Sequence, residues 1–197
     1  MKKVLYTFIF LIALSAGVFA QGISGGVKAG LNLANQTLSG NGYTSSPSFL
    51  PGFHAGGYLT LMFTEHLGLQ PEVLYSGQGA KNGTYKLKLG YATVPILVRF
   101  NVNSLLSFHA GPQIGVLMSA KSKTGSSSTD VKDSFKSSDV GIAFGGTVDL
   151  PMGLNFTLRF IKGLSNIYDG ASSPGYDYTQ KNYNIQIAAG YKLFGKK

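Results

Sequence analysis

Few residues in this chain could carry charge or do acid–base chemistry inside a regular element. Glu72 is the one acid that falls well inside a predicted strand, and Arg99 and Arg159 are the only arginines. All three lie on the more polar face of their strands. Because an unpaired buried charge is costly, we expect the three to form a salt bridge or a charge network, and the alternative is a gate or a ligand site.

The three histidines do not predict a metal site. His54 and His109 lie on the polar faces of different strands, and His66 falls in a short turn. A metal would need them to converge with a carboxylate, and no closely spaced pair occurs. The chain has no cysteine, which excludes disulfides and thiolate chemistry. We therefore expect no metal and no cofactor.

Catalysis would need a nucleophile and a base in reach of a substrate. Some small membrane barrels modify or cleave lipids with such a pair on their lipid-facing surface. Ser107 and His109 both fall on the opposite, polar face, and no acid partner is evident. We expect no enzymatic activity and no catalytic residue.

The elements that position these residues are strands. After residue 20, apolar and polar side chains alternate with a period of two, which is typical of strands with unlike faces. In the first segment, for example, Val27 and Leu31 alternate with Lys28 and Asn32. The predicted strands are Gly26–Asn35, Gly52–Phe63, Leu67–Gly79, Tyr85–Phe100, Leu105–Met118, Val140–Leu150, Leu154–Leu164 and Asn182–Phe194.

The connectors between these strands are alternately long and short. The long ones are Gln36–Pro51, Ser119–Asp139 and Ser165–Lys181, with a briefer one at Ala80–Thr84, and the short ones are Thr64–His66, Asn101–Ser104 and Pro151–Gly153. Bacterial outer membrane barrels combine short periplasmic turns with long extracellular loops in this way. The segment Lys121–Ser138, rich in serine and lysine, is expected to be a mobile loop.

The two strand faces indicate which side meets lipid. The polar face is too polar for a soluble core, whereas the interior of an eight-stranded barrel is just wide enough to be filled by such side chains. We predict an all-β fold, an eight-stranded antiparallel up-and-down transmembrane β-barrel whose lumen is plugged by the charge network. The alternative is a secreted, soluble, lipocalin-like carrier with one small ligand in its barrel.

The first twenty residues predict export. Lys2 and Lys3 precede the apolar stretch Val4–Phe19, and Val18 and Ala20 are the small residues that a signal peptidase reads. Met1–Ala20 is therefore predicted to be a signal peptide, and residues 21–197 to be one barrel domain with both termini in the periplasm.

The charge balance indicates the surroundings of the loops. The chain has 17 Lys and Arg against 8 acids, yet no aromatic–basic motif accompanies this excess, so nucleic acid is not an expected partner. The lysines near loop tips would suit an anionic lipopolysaccharide surface; they are Lys81, Lys86, Lys121, Lys123 and Lys181. The expected partners are outer-membrane lipid and lipopolysaccharide, and the expected state is a monomer.

Six stretches of the sequence resemble the PorT-like outer-membrane β-barrel family of the Bacteroidota. They are GVKAGLNLAN (residues 26–35), GFHAGGYLTL (52–61), LGLQPEVLYSGQGA (67–80), YATVPILVRF (91–100), FHAGPQIGVL (108–117) and AAGYKLF (188–194). The resemblance implies a small barrel in the outer membrane, with loops for surface interaction or a role in the envelope, including a secretion-associated one. Barrel-assembly machinery is an expected partner in biogenesis; it favours a terminal aromatic residue, and here Phe194 lies near the end of the sequence and not at it.

Overall fold

A computed structural model describes residues 22–40, 43–170 and 178–195 of the chain. The predicted signal peptide, Met1–Ala20, lies outside these residues. The described part contains strands β1 to β10 in chain order. They are Ile23–Gly40, Tyr43–Ser45, Leu50–Met62, Leu67–Asn82, Tyr85–Asn101, Leu106–Thr124, Ser127–Asp130, Ser138–Asp149, Leu154–Gly163 and Thr179–Phe194.

Eight of the described strands close into a ring. Each pairs antiparallel with its neighbour in the order β1, β3, β4, β5, β6, β8, β9 and β10, and β10 then pairs with β1. This closing seam runs from Gly25 opposite Phe194 to Ser39 opposite Thr179. The short strands β2 and β7 pair only with β1 and β6, respectively, within the described residues. The predicted eight-stranded up-and-down barrel is confirmed.

The outer surface of the ring is apolar and its interior is polar. Leu31 and Val73 are 64% and 65% exposed on the outside, whereas the neighbouring Asn32 and Glu72 point inward and are 0% and 1% exposed. A water-soluble barrel would have the opposite arrangement, so this surface is built to face lipid. No helix in residues 22–40, 43–170 or 178–195 is long and apolar enough to cross a membrane.

The two ends of the barrel differ in how the strands are connected and in how far the strands extend beyond the membrane-spanning part. At the turn end, strands are joined by tight connectors such as residues 63–66 and 102–105. At the loop end, the strands continue well beyond the 9–11 residues or so that span a bilayer, and β6 reaches 19 residues. The polarity of the faces inverts there. On β5, Leu87 and Leu89 are buried inside, whereas Lys86 and Lys88 are exposed outside. This part of the sheet is therefore built for water.

The segment Lys121–Ser138 is folded, contrary to the expectation of a mobile loop. β6 continues to Thr124, and β7 turns back against it after Gly125, whose φ of 58° suits a tight turn. A 3₁₀ helix follows at Lys132–Ser134. Its flanking residues Val131 and Phe135 pack against a cluster of buried apolar side chains inside the loop end. These two apolar residues pack the otherwise polar segment against the barrel. The composition of the segment, rich in serine and lysine, did not predict this contact.

We call this cluster the apolar cap. Its members come from the inner faces of β5 and β6 and from the connector after β9, and they are Leu87, Leu89, Tyr91, Leu117, Ala120 and Ile167. All are at most 5% exposed. The polar part of the lumen lies between this cap and the turn end.

Candidate functional site

The centre of the lumen is organised around Glu72. Glu72 and Gln70 lie two residues apart on β4, so both side chains point into the lumen, and Glu72 is buried. Oε1 accepts hydrogen bonds from Lys28 Nζ at 2.9 Å and from Arg159 Nη2 at 2.7 Å, while Oε2 accepts from Arg159 Nη1 at 2.8 Å. Arg159 therefore binds Glu72 through both nitrogens, the strongest geometry for this pair. One carboxylate thus pairs with two cations.

Arg159 also fixes a histidine. Its Nε donates to Nε2 of His109 at 3.0 Å. Because a guanidinium nitrogen can only donate, His109 Nε2 accepts and carries no proton in this arrangement. The nitrogen that a base or metal ligand would use is therefore occupied by a protein hydrogen bond.

A second group of charges lies nearer the turn end. Arg99 donates from Nη1 to Gln70 Oε1 at 2.9 Å and from Nε to Asn101 Oδ1 at 3.0 Å, and its Nη2 is ion-paired with Asp149. Gln70 in turn donates from Nε2 to Glu72 Oε1 at 2.7 Å. A continuous chain of polar contacts therefore crosses the lumen from Arg159 to Asp149.

The structure brings Glu72 and Arg159 together and keeps Arg99 apart from both. Arg99 reaches Glu72 only through Gln70. The sequence analysis missed Lys28 and Asp149 as members of the network. Lys28 stood on the inward face of the first strand and could have been included on that ground. Asp149 follows Thr147 on the inward face of β8 and could have been included on the same ground, although the alternation did not show that it would pair with Arg99.

Further polar layers fill the lumen between Glu72 and the apolar cap. His54 Nδ1 and Gln186 Nε2 lie 2.8 and 3.0 Å from the same acceptor, Asn32 Oδ1, and Asn32 Nδ2 donates to Ser76 Oγ at 3.0 Å. Above them, Asn182 bonds Asp139 Oδ2 at 2.9 Å. These side chains come from five strands, β1, β3, β4, β8 and β10, so their bonds link strands that are not all neighbours in the ring.

The histidines do not converge. His54 and His109 belong to different layers, and His66 lies in a turn with its Nδ1 2.8 Å from the carbonyl oxygen of Asn101. Across the described part of the chain, no group of three or more His, Cys, Asp or Glu side chains could hold a metal ion. Ser107 Oγ donates to the carbonyl oxygen of Thr147 at 3.4 Å and makes no bond with His109.

The outer face of the loop end carries lysines that face each other across strands. Lys86 on β5 lies directly opposite both Lys81 on β4 and Lys123 on β6, and one step nearer the apolar surface Lys88 lies opposite Lys121. We call these the lysine rows. None of the five makes an ion pair with another residue in the described ranges. Lys181 lies elsewhere, on β10 opposite Thr37.

Comparison with known proteins shows in which membrane a barrel of this kind is located. The family model described as outer membrane protein beta-barrel domain matches residues 19–169. The chain belongs to this family. An outer-membrane location follows, and it overturns the alternative of a secreted, lipocalin-like carrier. A comparison with curated protein sequences found no match.

Solved structures of small surface barrels have the same fold. Ail, the attachment invasion locus protein of Yersinia pestis, is 15% identical over 86% of this chain and 98% of its own, with a TM-score of 0.50. Neisserial surface protein A, NspA, is 13% identical over 88% of this chain and all (100%) of its own, with a TM-score of 0.56. At these identities the likeness concerns the fold alone.

Proposed function

We propose that the protein is a monomeric, non-enzymatic outer membrane barrel with a closed lumen, whose loop end faces the outside and makes surface contacts. The observation that carries this proposal is the filling of the lumen. Separate hydrogen-bonded polar layers lie between Asp149 and Asn182, and the apolar cap lies above them. Side chains that are hydrogen-bonded to opposite walls leave no continuous aqueous path for ions.

Electrical recording from planar lipid bilayers tests the closed lumen. The reconstituted wild-type protein is expected to give no stepwise conductance. A variant that thins the cap, Leu89→Ala with Leu117→Ala, shows whether the polar layers alone are sufficient to block ions. Steady single-channel steps from the wild type, altered in size by Arg99→Ala, would show that ions pass along the network and would refute the proposal.

The absence of enzymatic activity is supported by the contacts of Ser107 and His109, which turn to different partners. Purified protein incubated with labelled phospholipid or lipid A is expected to leave both unchanged. The monomeric state is tested by light scattering of the protein eluting in detergent.

We also propose outer-membrane lipid and lipopolysaccharide as the surroundings of the lysine rows. Like charges directly opposite each other on a sheet are unfavourable unless an anion lies between them. These rows begin where the apolar outer surface ends, and the band of a membrane barrel that follows the apolar one meets the lipid headgroups. The experiment measures the lipopolysaccharide phosphate that co-purifies with each of three proteins. They are the wild type, the double variant Lys86→Glu/Lys88→Glu, and the double variant Lys132→Glu/Lys136→Glu, which is a control with the same change in charge. Only the first variant is expected to lose lipopolysaccharide, and equal losses would contradict a site at the rows.

We also propose that the protein belongs to the PorT-like group of outer membrane barrels. The resemblance to PorT-like barrels of the Bacteroidota supports a secretion- or envelope-associated role, with barrel-assembly machinery as the partner in biogenesis. A deletion strain with a changed profile of secreted proteins, restored by the wild-type gene, is the expected result. The signal peptide is tested by sequencing the N-terminus of the purified protein, which is expected to begin at Gln21.

A further inference from the structure

A cavity of about 310 Å³ opens at the loop end, above the apolar cap. Its lining comes from six places in the chain: the end of β1, the connector between β2 and β3, the β4–β5 hairpin, the segment after β7, the connector after β9, and the start of β10. The volume is at the lower end of the range, roughly 300–1,000 Å³, of small-molecule sites. Neither the lumen network nor the lysine rows contribute its walls, apart from Lys81 at the rim.

Four aromatic side chains form part of the wall of this cavity. Tyr168 and Tyr178 stand edge to face, with ring centroids 5.1 Å apart and planes at 79°. Tyr85 and Phe135 complete the wall from other segments. Within the described part of the chain, the hydroxyls of the three tyrosines make no hydrogen bond, although Tyr85 and Tyr178 are 43% and 41% exposed and open to a ligand. Tyrosine thus supplies flat apolar area and a polar group at its edge.

The floor of the cavity is formed by two amide side chains on one side and by an apolar side chain on the other. Gln180 Nε2 donates to Gln36 Oε1 at 2.8 Å, and Gln36 Nε2 donates to Asn182 Oδ1 at 3.0 Å. These bonds fix the two amides and leave the side-chain oxygen of Gln180 without a donor among the described residues. Leu87, which belongs to the apolar cap, closes the bottom. The cavity is therefore a dead end that can hold a ligand and does not lead into the lumen.

We propose that this cavity binds a single saccharide ring presented at the cell surface. A pyranose has flat C–H faces that suit aromatic rings and hydroxyls that suit phenol and amide groups. A purely apolar ligand would leave the floor amides and tyrosine hydroxyls desolvated. A polyanion would find only Lys81 as a charged residue among those described along the lining.

Saturation-transfer NMR with maltotriose, cellotriose and chitotriose tests this site. The protein is embedded in lipid nanodiscs, because maltoside detergents carry a sugar of their own. At least one trisaccharide is expected to receive saturation on the C–H protons of one ring. Tyr168→Ala and Tyr178→Ala are each expected to weaken binding by about tenfold or more, as for a stacking residue at the centre of a site.

Two further variants separate binding from folding. Tyr191→Ala removes a tyrosine from the outer surface near the turn end and is expected to keep the signal. Gly170→Ala adds a methyl group that would collide with the ring of Tyr168, so it should displace the ring and weaken binding although all tyrosines remain. Each variant is first shown to migrate as a folded barrel on unboiled gels. No signal from any of the three sugars, or a signal unchanged in both Tyr168→Ala and Tyr178→Ala, would refute the proposal.

Discussion

At the scale of single residues, the group at the centre of the lumen contains two cations and one acid. Glu72 binds both Lys28 and Arg159. Glu72→Gln would leave two buried cations facing a neutral amide. Because removing one partner of a buried pair leaves an uncompensated charge, we expect a loss of about 3–5 kcal/mol in the free energy of unfolding.

Urea unfolding in lipid vesicles measures this loss, with Glu65→Gln as the control. Glu65 lies in an exposed turn, so the same chemical change there is expected to have little effect. Equal unfolding midpoints for the two variants would mean that Glu72 is not the acid that balances the lumen.

Lys28→Met should behave differently, although it removes a partner of the same carboxylate. The Arg159–Glu72 pair would remain, with both nitrogens bound and one charge of each sign. Replacing a buried charge with an apolar chain of similar size is often neutral when no charge is left unpaired. In the same urea experiment we expect a change well below that of Glu72→Gln. A loss as large as that of Glu72→Gln would show that Lys28 is needed for neutralisation.

The alternation of side chains was sufficient to place Glu72, Arg99, Arg159, His54 and His109 inside the barrel. The alternation could not predict which of these side chains would contact each other. Contacts across the lumen depend on the register of each strand with its neighbours, added up around the ring of eight strands. That register is set by bulges, such as the register shift beside Gly90 and Tyr91. The sequence could therefore predict that Arg159 met an acid, but not that Arg99 would turn to Asp149.

At the scale of elements, one glycine in β4 has a backbone that other residues rarely adopt. Gly79 has a φ of 134°, and a Cβ there would collide with the carbonyl oxygen of Leu87. Gly79→Ala is expected to destabilise the barrel by about 1–3 kcal/mol. Gly57→Ala is the control, because its Cβ would meet only an oxygen at 3.6 Å. Thermal unfolding followed by circular dichroism compares the two, and equal melting temperatures would contradict the strain at Gly79.

The lysine rows place like charges directly opposite each other on β4, β5 and β6, and we expect these pairs to lower the stability of the barrel. Lys86→Glu would place an acid between Lys81 and Lys123 and turn two repulsive cross-strand pairs into attractive ones. In lipopolysaccharide-free detergent we therefore expect a higher denaturation midpoint than in the wild type. In lipopolysaccharide the order is expected to reverse, since the variant loses an anion contact. A midpoint that rises in both media would mean that the rows have no anionic ligand.

Strand ends were the least predictable part of the elements. Inside the membrane, outward apolar residues alternate with inward polar ones, and this pattern predicted the strand cores. At the loop end the same strands enter water, and the pattern inverts, with Leu87 inside and Lys86 outside. The polar segment before Ser138 therefore looked like a loop, although it contains β7 and the two residues that pack on the apolar cap.

At the scale of the whole molecule, closure of the ring is the feature on which stability depends. A folded barrel is expected to migrate faster on a gel when unboiled than after boiling. A chain ending before Thr179 lacks β10 and leaves β1 and β9 unpaired along one side. We expect this truncated chain to show a single band that is unaffected by boiling. A shift retained by the truncated chain would mean that closure is not required for the compact form.

The same seam also sets the order of events in the life of the protein. The strand that completes the ring, β10, is synthesised after the other described strands, and it pairs with β1. Until β10 is in place, every partial sheet has two unsatisfied edges and an apolar outer surface in water, which is the combination that leads to aggregation. The ring therefore cannot close strand by strand as the chain emerges, because closure requires β1 and β10 together.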